Sequence, residues 1–554
     1  MSGRKPEVVE VNPDQLKQVV RRAEQSLGKQ DAELIRAVFE SYEYVAELIQ
    51  DKNTSIRRLR QLYFGAKTEK TDAVVGRSAD ASDGAGTGQA AEDGKSPAED
   101  SDETESDAAD AQPAKKKGHG RHAADAYRGA ERIEVPHGSL QPGDACPECR
   151  QGTVYEKSPG LIIRITGQAP LHATRYELQK LRCHLCGKVF TAPLPEAARG
   201  EKYDATAASM IALLKYGSGM PFNRLQGLQR DLEVPLPAST QWDVVQAFAP
   251  GITPAFEELI RQAAQGDVLH NDDTTVKILE LMGERARQVD EDSDVSRTGM
   301  FTSGVVSTLE GRRMALFFSG RRHAGENLTQ VLKLRTEELQ PPIQMCDALS
   351  RNLPRELQTI VANCLAHARR QFVDVYDRFP DECRDVLEAL RVVYHNDTIA
   401  QRDGLSAEQR LRFHQHNSRQ TIEDLHAWLR RQFDEKLVEP NSALGAAIRY
   451  MLKHWEKLTR FLNTAGAPLD NNVCERALKK AILHRKNALF FKTRNGAQVG
   501  DMFMSLIHTC ELNQTNPFNY LTELLRHTAE AATNPERWMP WNYHAALESL
   551  PIAA

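Results

Sequence analysis

The sequence predicts a multidomain α/β protein, and three observations carry that expectation. GDVLHNDDTTVKIL, GMFTSGVVSTL and RRMALFFSG read as three successive strands, AGENLTQVLKL as a helix, PPIQMCDA as a fourth strand and TIVANCLA as a fifth. Four cysteines fall in two Cys-x-x-Cys pairs, and the texture between Thr71 and Gln112 changes to Ala, Gly, Ser, Asp and Glu without an aromatic residue. At 554 residues and 62.0 kDa the chain exceeds what one core serves, since domains run to roughly 150 residues. Three hairpin-linked strands followed by alternating helix and strand is the order of a ribonuclease-H-like core.

Residues 12–70 are expected to be helical. Asn12 and Pro13 suit a cap and a first turn, and Leu16, Val19, Val20, Ala23 and Leu27 recur at helical spacing until Gly28. Ile35, Val38, Tyr42, Val45, Ile49, Ile56, Leu59 and Tyr63 then alternate three and four residues apart, with Lys52 breaking the seam. Such a heptad predicts a coiled coil; a helix folded back on its own chain is the alternative. Arg57, Arg58 and Arg60 close the segment with a basic surface suited to phosphate.

Residues 71–130 read as a disordered acidic linker with a basic end. Between Thr71 and Gln112 stand twelve acids and two bases, a net of −10, so the −5 of the whole chain leaves +5 elsewhere. A segment so poor in apolar side chains cannot offset its ordering entropy. The overall acidity therefore does not exclude a nucleic-acid ligand, and Lys115, Lys116 and Lys117 follow the linker as candidate phosphate contacts. The opening MSGRKPEVVEVNPDQ has no apolar h-region, and no run approaches the roughly 18 apolar residues of a membrane span. No membrane partner is expected, and the location is expected to be cytoplasmic.

In 131–195, CPEC, thirty-three residues and CHLC set Cys146, Cys149, Cys183 and Cys186 as two knuckles among β-like segments, the pattern of a zinc ribbon. Four thiolates leave no open position, so this Zn²⁺ is expected to be structural. The other five cysteines, Cys346, Cys364, Cys383, Cys474 and Cys510, read as small apolar residues. Residues 200–250 are helical, and MPFNRLQGLQRDLEVPLPASTQWDVV resembles a helix-turn-helix with Ser239 capping the helix that carries Trp242; a plain helical packing unit is the other reading. The core is expected to begin at 262–372. A helical insertion over 373–468, a final core helix within 469–510 and a helical tail at 511–554 complete it.

Asp272 and Asp273 lie on the first core strand, and a strand turns adjacent side chains to opposite faces, so only one of them joins a given site. Asp347 ends the fourth strand. LDNNVCERALKKAIL begins a helix, with Asp470 or an Asn as cap and Glu475 on its first turns. Three carboxylates on neighbouring elements can hold two divalent ions about 4 Å apart for in-line phosphoryl transfer. His367, Arg369 and Arg370 are candidates to hold phosphate or the third acid, with packing and surface roles as the alternative. Arg476, Lys479, Lys480, Arg485, Lys486, Lys492 and Arg494 follow Glu475 with no acid before Gly500, a DNA-facing stretch by charge.

LYFGAKTEK, GHGR, the double CxxC, LLKYGSGMPFNR, HNDDTTV, NCLAHARRQF, LDNNVCERALKK with HRKNALFF behind it, and PWNYH resemble a transposase of the insertion-sequence-66 family, bacterial enzymes of the DDE type, over nearly the whole chain. The resemblance implies a coiled coil, a zinc-binding domain, a helix-turn-helix-like segment and a catalytic core whose acids, Asp272, Asp347 and Glu475, coordinate two Mg²⁺. It implies binding of the element's terminal inverted repeats and target DNA, a nucleoid-associated homo-oligomer and small accessory proteins of the same element. Two departures stand out: MCDALSRNL replaces the family's glycine-tyrosine-rich stretch after the second aspartate, and Asp273 and Thr275 stand where Glu and Pro are commoner. The alternative is a catalytically inactive zinc-ribbon DNA-binding protein derived from a transposase.

Overall fold

The apolar runs between 268 and 363 assemble into one five-stranded mixed sheet in a computed structural model that describes residues 139–147, 152–155, 169–182, 189–282 and 297–550. A short antiparallel pair precedes it, β1 (Lys180–Arg182) and β2 (Val189–Thr191). The main sheet holds β3 (Val268–Thr275), β4 (Phe301–Leu309), β5 (Arg312–Gly320), β6 (Ile343–Cys346) and β7 (Ile360–Asn363) in the order β5-β4-β3-β6-β7. β3 is central, antiparallel to β4 and parallel to β6. All five strands fall where the sequence places them, and their order is compatible with a ribonuclease-H-like core. The expected coiled coil and linker lie outside the described residues.

The helices are α1 (Ala205–Ala212), α2 (Phe222–Asp231), α3 (Ala238–Ala264), α4 (Ala324–Leu332), α5 (Leu365–Val375), α6 (Pro380–Arg402), α7 (Ala407–Asn417), α8 (Arg419–Asp434), α9 (Ala443–Lys453), α10 (Trp455–Leu458), α11 (Asn472–Ala488), α12 (Arg494–Leu512), α13 (Pro517–Arg526), α14 (Thr528–Thr533) and α15 (Tyr543–Glu548). The described residues form two compact units. Residues 369–395 and 431–447 make the smaller one, which buries Phe372, Val386, Leu387, Leu390 and Leu444; the rest make the larger.

In the larger unit both faces of the sheet are covered, which is why β4 buries six consecutive residues instead of alternating. Register decides the faces: Gly304 pairs with Asp272 and Ser303 with Asp273. Leu478 and Cys474 of α11 lie over Gly304. On the other face, α4 reaches Ser303 through Asn327, and Ser307 donates to the Ala263 carbonyl at the end of α3. Helix α3 starts at Ala238 with Pro237 in the cap position, so Ser239 stands inside the first turn and does not cap it. It runs through Pro250 and Pro254 because Val245, Ala249, Ile252, Ala255 and Leu259 bury one continuous face.

An open sheet edge leaves backbone N–H groups unpaired. Here α12 supplies them with acceptors at four-residue spacing. Asp501 accepts from Ser319 N at 2.6 Å, Ser505 from Phe317 N at 2.9 Å, Thr509 from Ala315 N at 3.0 Å and Asn513 from Arg313 N at 3.2 Å. Every second N–H of β5 is thus satisfied by one helix face.

Burial pushes the Asp501 carboxyl up to about 7 from its ordinary 3.8, against the lowering effect of its two bonds to Ser319. Between those values the folded chain keeps a proton that the unfolded chain has released, so this group's contribution to stability is greatest at low pH and declines as pH rises toward 7. Asp501→Asn offers one acceptor and one donor without a charge. The variant is expected to gain ~1–4 kcal/mol over the parent between pH 5 and pH 8. Urea unfolding at the two pH values measures it, and a parent–variant difference that does not change with pH contradicts it.

Candidate active site

Strand alternation separates the two aspartates of β3. Asp273 has a side chain only 1% exposed, in contact with His323 Nδ1 at 2.9 Å and an Arg351 guanidinium nitrogen at 3.3 Å. Both partners are cationic or able to become so, which leaves Asp273 compensated on the α4 face. Asp272 points the other way. Its Oδ1 accepts from Asp273 N at 2.8 Å and from Asn352 Nδ2 at 3.4 Å.

Asn352 Nδ2 also donates to Asp347 Oδ1, so one amide spans both carboxyls. The backbone that carries this amide is held in turn, because the Asn352 main-chain carbonyl accepts from Asn271 Nδ2 at 2.8 Å and Gln344 Nε2 at 2.7 Å. Burial and the nearby Asp347 push the Asp272 carboxyl up to about 7. Asp347 is also raised by burial, an effect that the Leu349 N–H, His367, Arg351 and Asn352 oppose.

The third acid is brought in by a different set of contacts. Asn471 takes the N-cap position of α11, yet its side chain does not cap. It turns into the sheet instead, accepting from His270 Nδ1 at 3.1 Å and donating to the Asn271 carbonyl at 3.2 Å, while its backbone N–H meets Cys364 Sγ at 3.2 Å. Burial holds His270 near 4, so the ring is neutral and donates from Nδ1. Asp470, the other expected cap, accepts from Asn472 N at 3.1 Å and Asn472 Nδ2 at 2.8 Å. Cys474 Sγ then donates to the Gly304 carbonyl at 3.4 Å, and Glu475 follows on the first turn.

His367 Nε2 lies 3.7 Å from Glu475 Oε1, and the same histidine helps hold Asp347 ionised. Cys364, His367 and Glu475 offer ligand atoms within 4.8 Å of one another. Burial pushes the Cys364 thiol up to about 12, so at neutral pH its sulfur is a protonated acceptor for Asn471 N–H.

The bases after Glu475 divide into two kinds. Arg476, Lys479, Lys486, Lys492 and Arg494 are exposed. Lys480 pairs with Glu511 Oε1 at 2.8 Å, and Arg485 donates to Thr274 Oγ1 at 3.0 Å, Thr275 Oγ1 at 2.7 Å and the Thr275 carbonyl. In the smaller unit Arg369 is buried and Arg370 exposed.

Of the four candidate zinc ligands only Cys146 is described. Cys149, Cys183 and Cys186 lie outside the described residues, as do Arg57, Arg58, Arg60, Lys115, Lys116 and Lys117. The flanks of both knuckles are nonetheless paired: Ala145 bridges Thr153 across the first, with Cys146 N donating to the Gly152 carbonyl at 2.7 Å, and β1 pairs with β2 across the second.

Sequence reasoning missed Asn352 and Asn471, the two residues that fix the acids in relation to the sheet. Asn471 had a signal in the doubled Asn of LDNN, where the second could serve the helix and the first was free to serve the sheet. Asn352 had none, because its role depends on a turn between β6 and β7.

Residues 201–499, more than half of the chain, match the family model described as Transposase IS66 family. Among curated relatives from Sinorhizobium fredii (strain NBRC 101917 / NGR234), Uncharacterized protein y4hP is 26% identical over 68% of this chain and 69% of its own length. Uncharacterized protein y4jD is 34% identical over 33% of this chain and 36% of its own length, and Uncharacterized protein y4qI 29% over 33% and 34%. Among the described residues no helix is long and apolar enough to cross a membrane. The matched span contains all three acids and the sheet that carries them, and the chain belongs to the IS66 family of transposases.

Proposed function

We propose that the chain is a DDE-type DNA transposase that binds the terminal inverted repeats of its element, cleaves phosphodiester bonds there and joins the 3′-OH ends to target DNA. The observation that carries this reading is the convergence of Asp272 and Asp347 on one amide. Two carboxyls held together under burial repel one another, and Asp272 is pushed up accordingly. A divalent cation relieves that repulsion. The donor set fits magnesium, because Asp272, Asp347 and Glu475 supply the carboxylate oxygens that this hard ion prefers. Two Mg²⁺ held there would lower the pKa of the attacking water and stabilise the attacking and leaving oxygens of an in-line transfer.

The chain's own residues have separate tasks. Asn352 keeps the Asp272 and Asp347 carboxyls at a fixed spacing, and His367 stands beside Glu475 and opposes the burial that raises Asp347. Arg476, Lys479, Lys486, Lys492 and Arg494 neutralise phosphates flanking the scissile bond, with Arg370 and the basic runs at 57–60 and 115–117 adding to the footprint. Lys480, Arg485 and Arg369 act mainly in positioning. Cys146, Cys149, Cys183 and Cys186 hold a structural Zn²⁺, and the ribbon with helices α2 and α3 recognises the element ends. The heptad segment pairs protomers so that two ends are brought together in a nucleoid-associated complex, with small accessory proteins of the element as further partners.

Asp272→Ala or Glu475→Ala is expected to lower Mg²⁺-dependent cleavage of end DNA by ~10³-fold or more while end binding stays within about twofold. Gel assays of cleavage and binding on the same DNA test this; cleavage that survives either substitution sinks the assignment. A parent chain that binds the ends and never joins them in Mg²⁺ favours the non-catalytic DNA-binding protein. For the ribbon, metal analysis of the purified chain should find about one zinc per chain, lost in Cys183→Ser. A parent chain without zinc contradicts the ribbon.

A further inference from the structure

We infer that a cleft at the far end of α11 seats one unstacked nucleotide of the bound DNA; this rests on the transposase reading and adds a second contact to it. The cleft has a volume of about 500 Å³ and is lined by Thr275, Lys277, Arg485, Lys486, Leu489 and Phe490. Leu489 is 63% exposed and Phe490 43%, two adjacent large apolar side chains in water.

Their exposure is imposed by the backbone. Leu489 sits at φ 69°, ψ −42°, a strained conformation for a residue with a branched side chain. The turn is held from both sides. Leu489 N donates to the Arg485 carbonyl at 2.9 Å and Phe490 N to the Ala488 carbonyl at 2.9 Å. Beyond it Phe491 N donates to the Lys277 carbonyl at 2.8 Å, Leu279 N donates to the Phe491 carbonyl at 2.9 Å, and the Phe491 ring is buried with Ile278, Met300 and Ala497. Anchoring Phe491 inside leaves Leu489 and Phe490 directed outward. Strain that surrounding bonds over-determine at an exposed apolar pair is characteristic of a binding element.

The charges beside this pair identify its occupant. Lys277 and Lys486 are exposed, and the contacts of Arg485 among the described residues are neutral oxygens of Thr274 and Thr275. The nearby Glu280 carboxylate accepts from Arg494 N at 2.6 Å. An aromatic face with cations beside it suits a nucleobase and its phosphate. A paired base inside a duplex cannot present its face, so the occupant is unstacked.

Position follows from the elements. Thr275 lies three residues beyond Asp272 on β3, about 10 Å away, and Lys486 lies eleven residues beyond Glu475 on α11, about 16 Å away. At 3.4 Å per base step this is about three to five nucleotides from the scissile phosphate. The cleft would hold the strand open beside the reaction centre without touching the reacting atoms.

The test uses the full chain, without Mg²⁺, and fluorescence anisotropy with three labelled probes: a twelve-nucleotide oligothymidylate, an abasic oligonucleotide of the same length and a blunt duplex. Phe490→Ala is expected to weaken oligothymidylate binding about tenfold and abasic binding less than twofold, with Phe490→Tyr restoring most of the loss. Lys486→Ala should weaken both single strands equally. A Phe490→Ala chain that binds oligothymidylate like the parent, or loses equally on both single strands, overturns the cleft assignment, as does a parent that binds only the duplex. A parent that binds none of the three overturns the transposase reading beneath it.

Discussion

A Cβ at position 304 would meet Leu478 Cγ and Cδ2 at 3.0 Å and Cys474 Sγ at 3.5 Å, so glycine there is what lets α11 lie against β4. That approach fixes the depth of the helix, and the Asn471 side chain fixes its start by joining it to His270 and the Asn271 backbone. Together they set where Glu475 stands on the face that also carries Asp272. The acids are therefore positioned by packing and by neutral hydrogen bonds. Gly325 does the equivalent on the other face: a Cβ would collide with the carbonyls of Arg351 and Leu353, so α4 can press on the turn that presents Asn352.

The two faces of β3 differ in electrostatics for the same reason that they differ in geometry. Asp273 faces His323 and Arg351 and is a compensated buried acid. Asp272, one residue away, faces Asp347 and an amide, and burial and the neighbouring carboxyl raise it to about 7. A buried carboxyl without a compensating cation is costly unless something else supplies the charge. In the proposed transposase a divalent metal would supply that charge.

Much of this arrangement was legible in the sequence. All five core strands, α4 and the opening of α11 follow from periodicity and turn residues, and the alternation of a strand made clear that Asp272 and Asp273 could not share a face. Other features were hidden for physical reasons. Pro250 and Pro254 look like helix breakers, yet the buried face of α3 carries the helix through them. The ladder of Asp501, Ser505, Thr509 and Asn513 is four polar residues at four-residue spacing on an apolar helix, a pattern with meaning only once β5 is known to be an edge. Charge counting grouped seven bases as one DNA-facing stretch, whereas Lys480 and Arg485 are engaged within the fold.

The proposed transposase rests on Asp272, Asp347 and Glu475 forming one cation site. Crystals of the chain soaked in Mn²⁺, a scattering substitute for Mg²⁺, test it most directly through anomalous difference maps. Manganese density is expected touching Asp272, shared with Asp347 and Glu475, and absent from the Asp273 side of β3. Manganese bound only at Cys364 and His367, or no density beside Asp272 at millimolar metal, would contradict it.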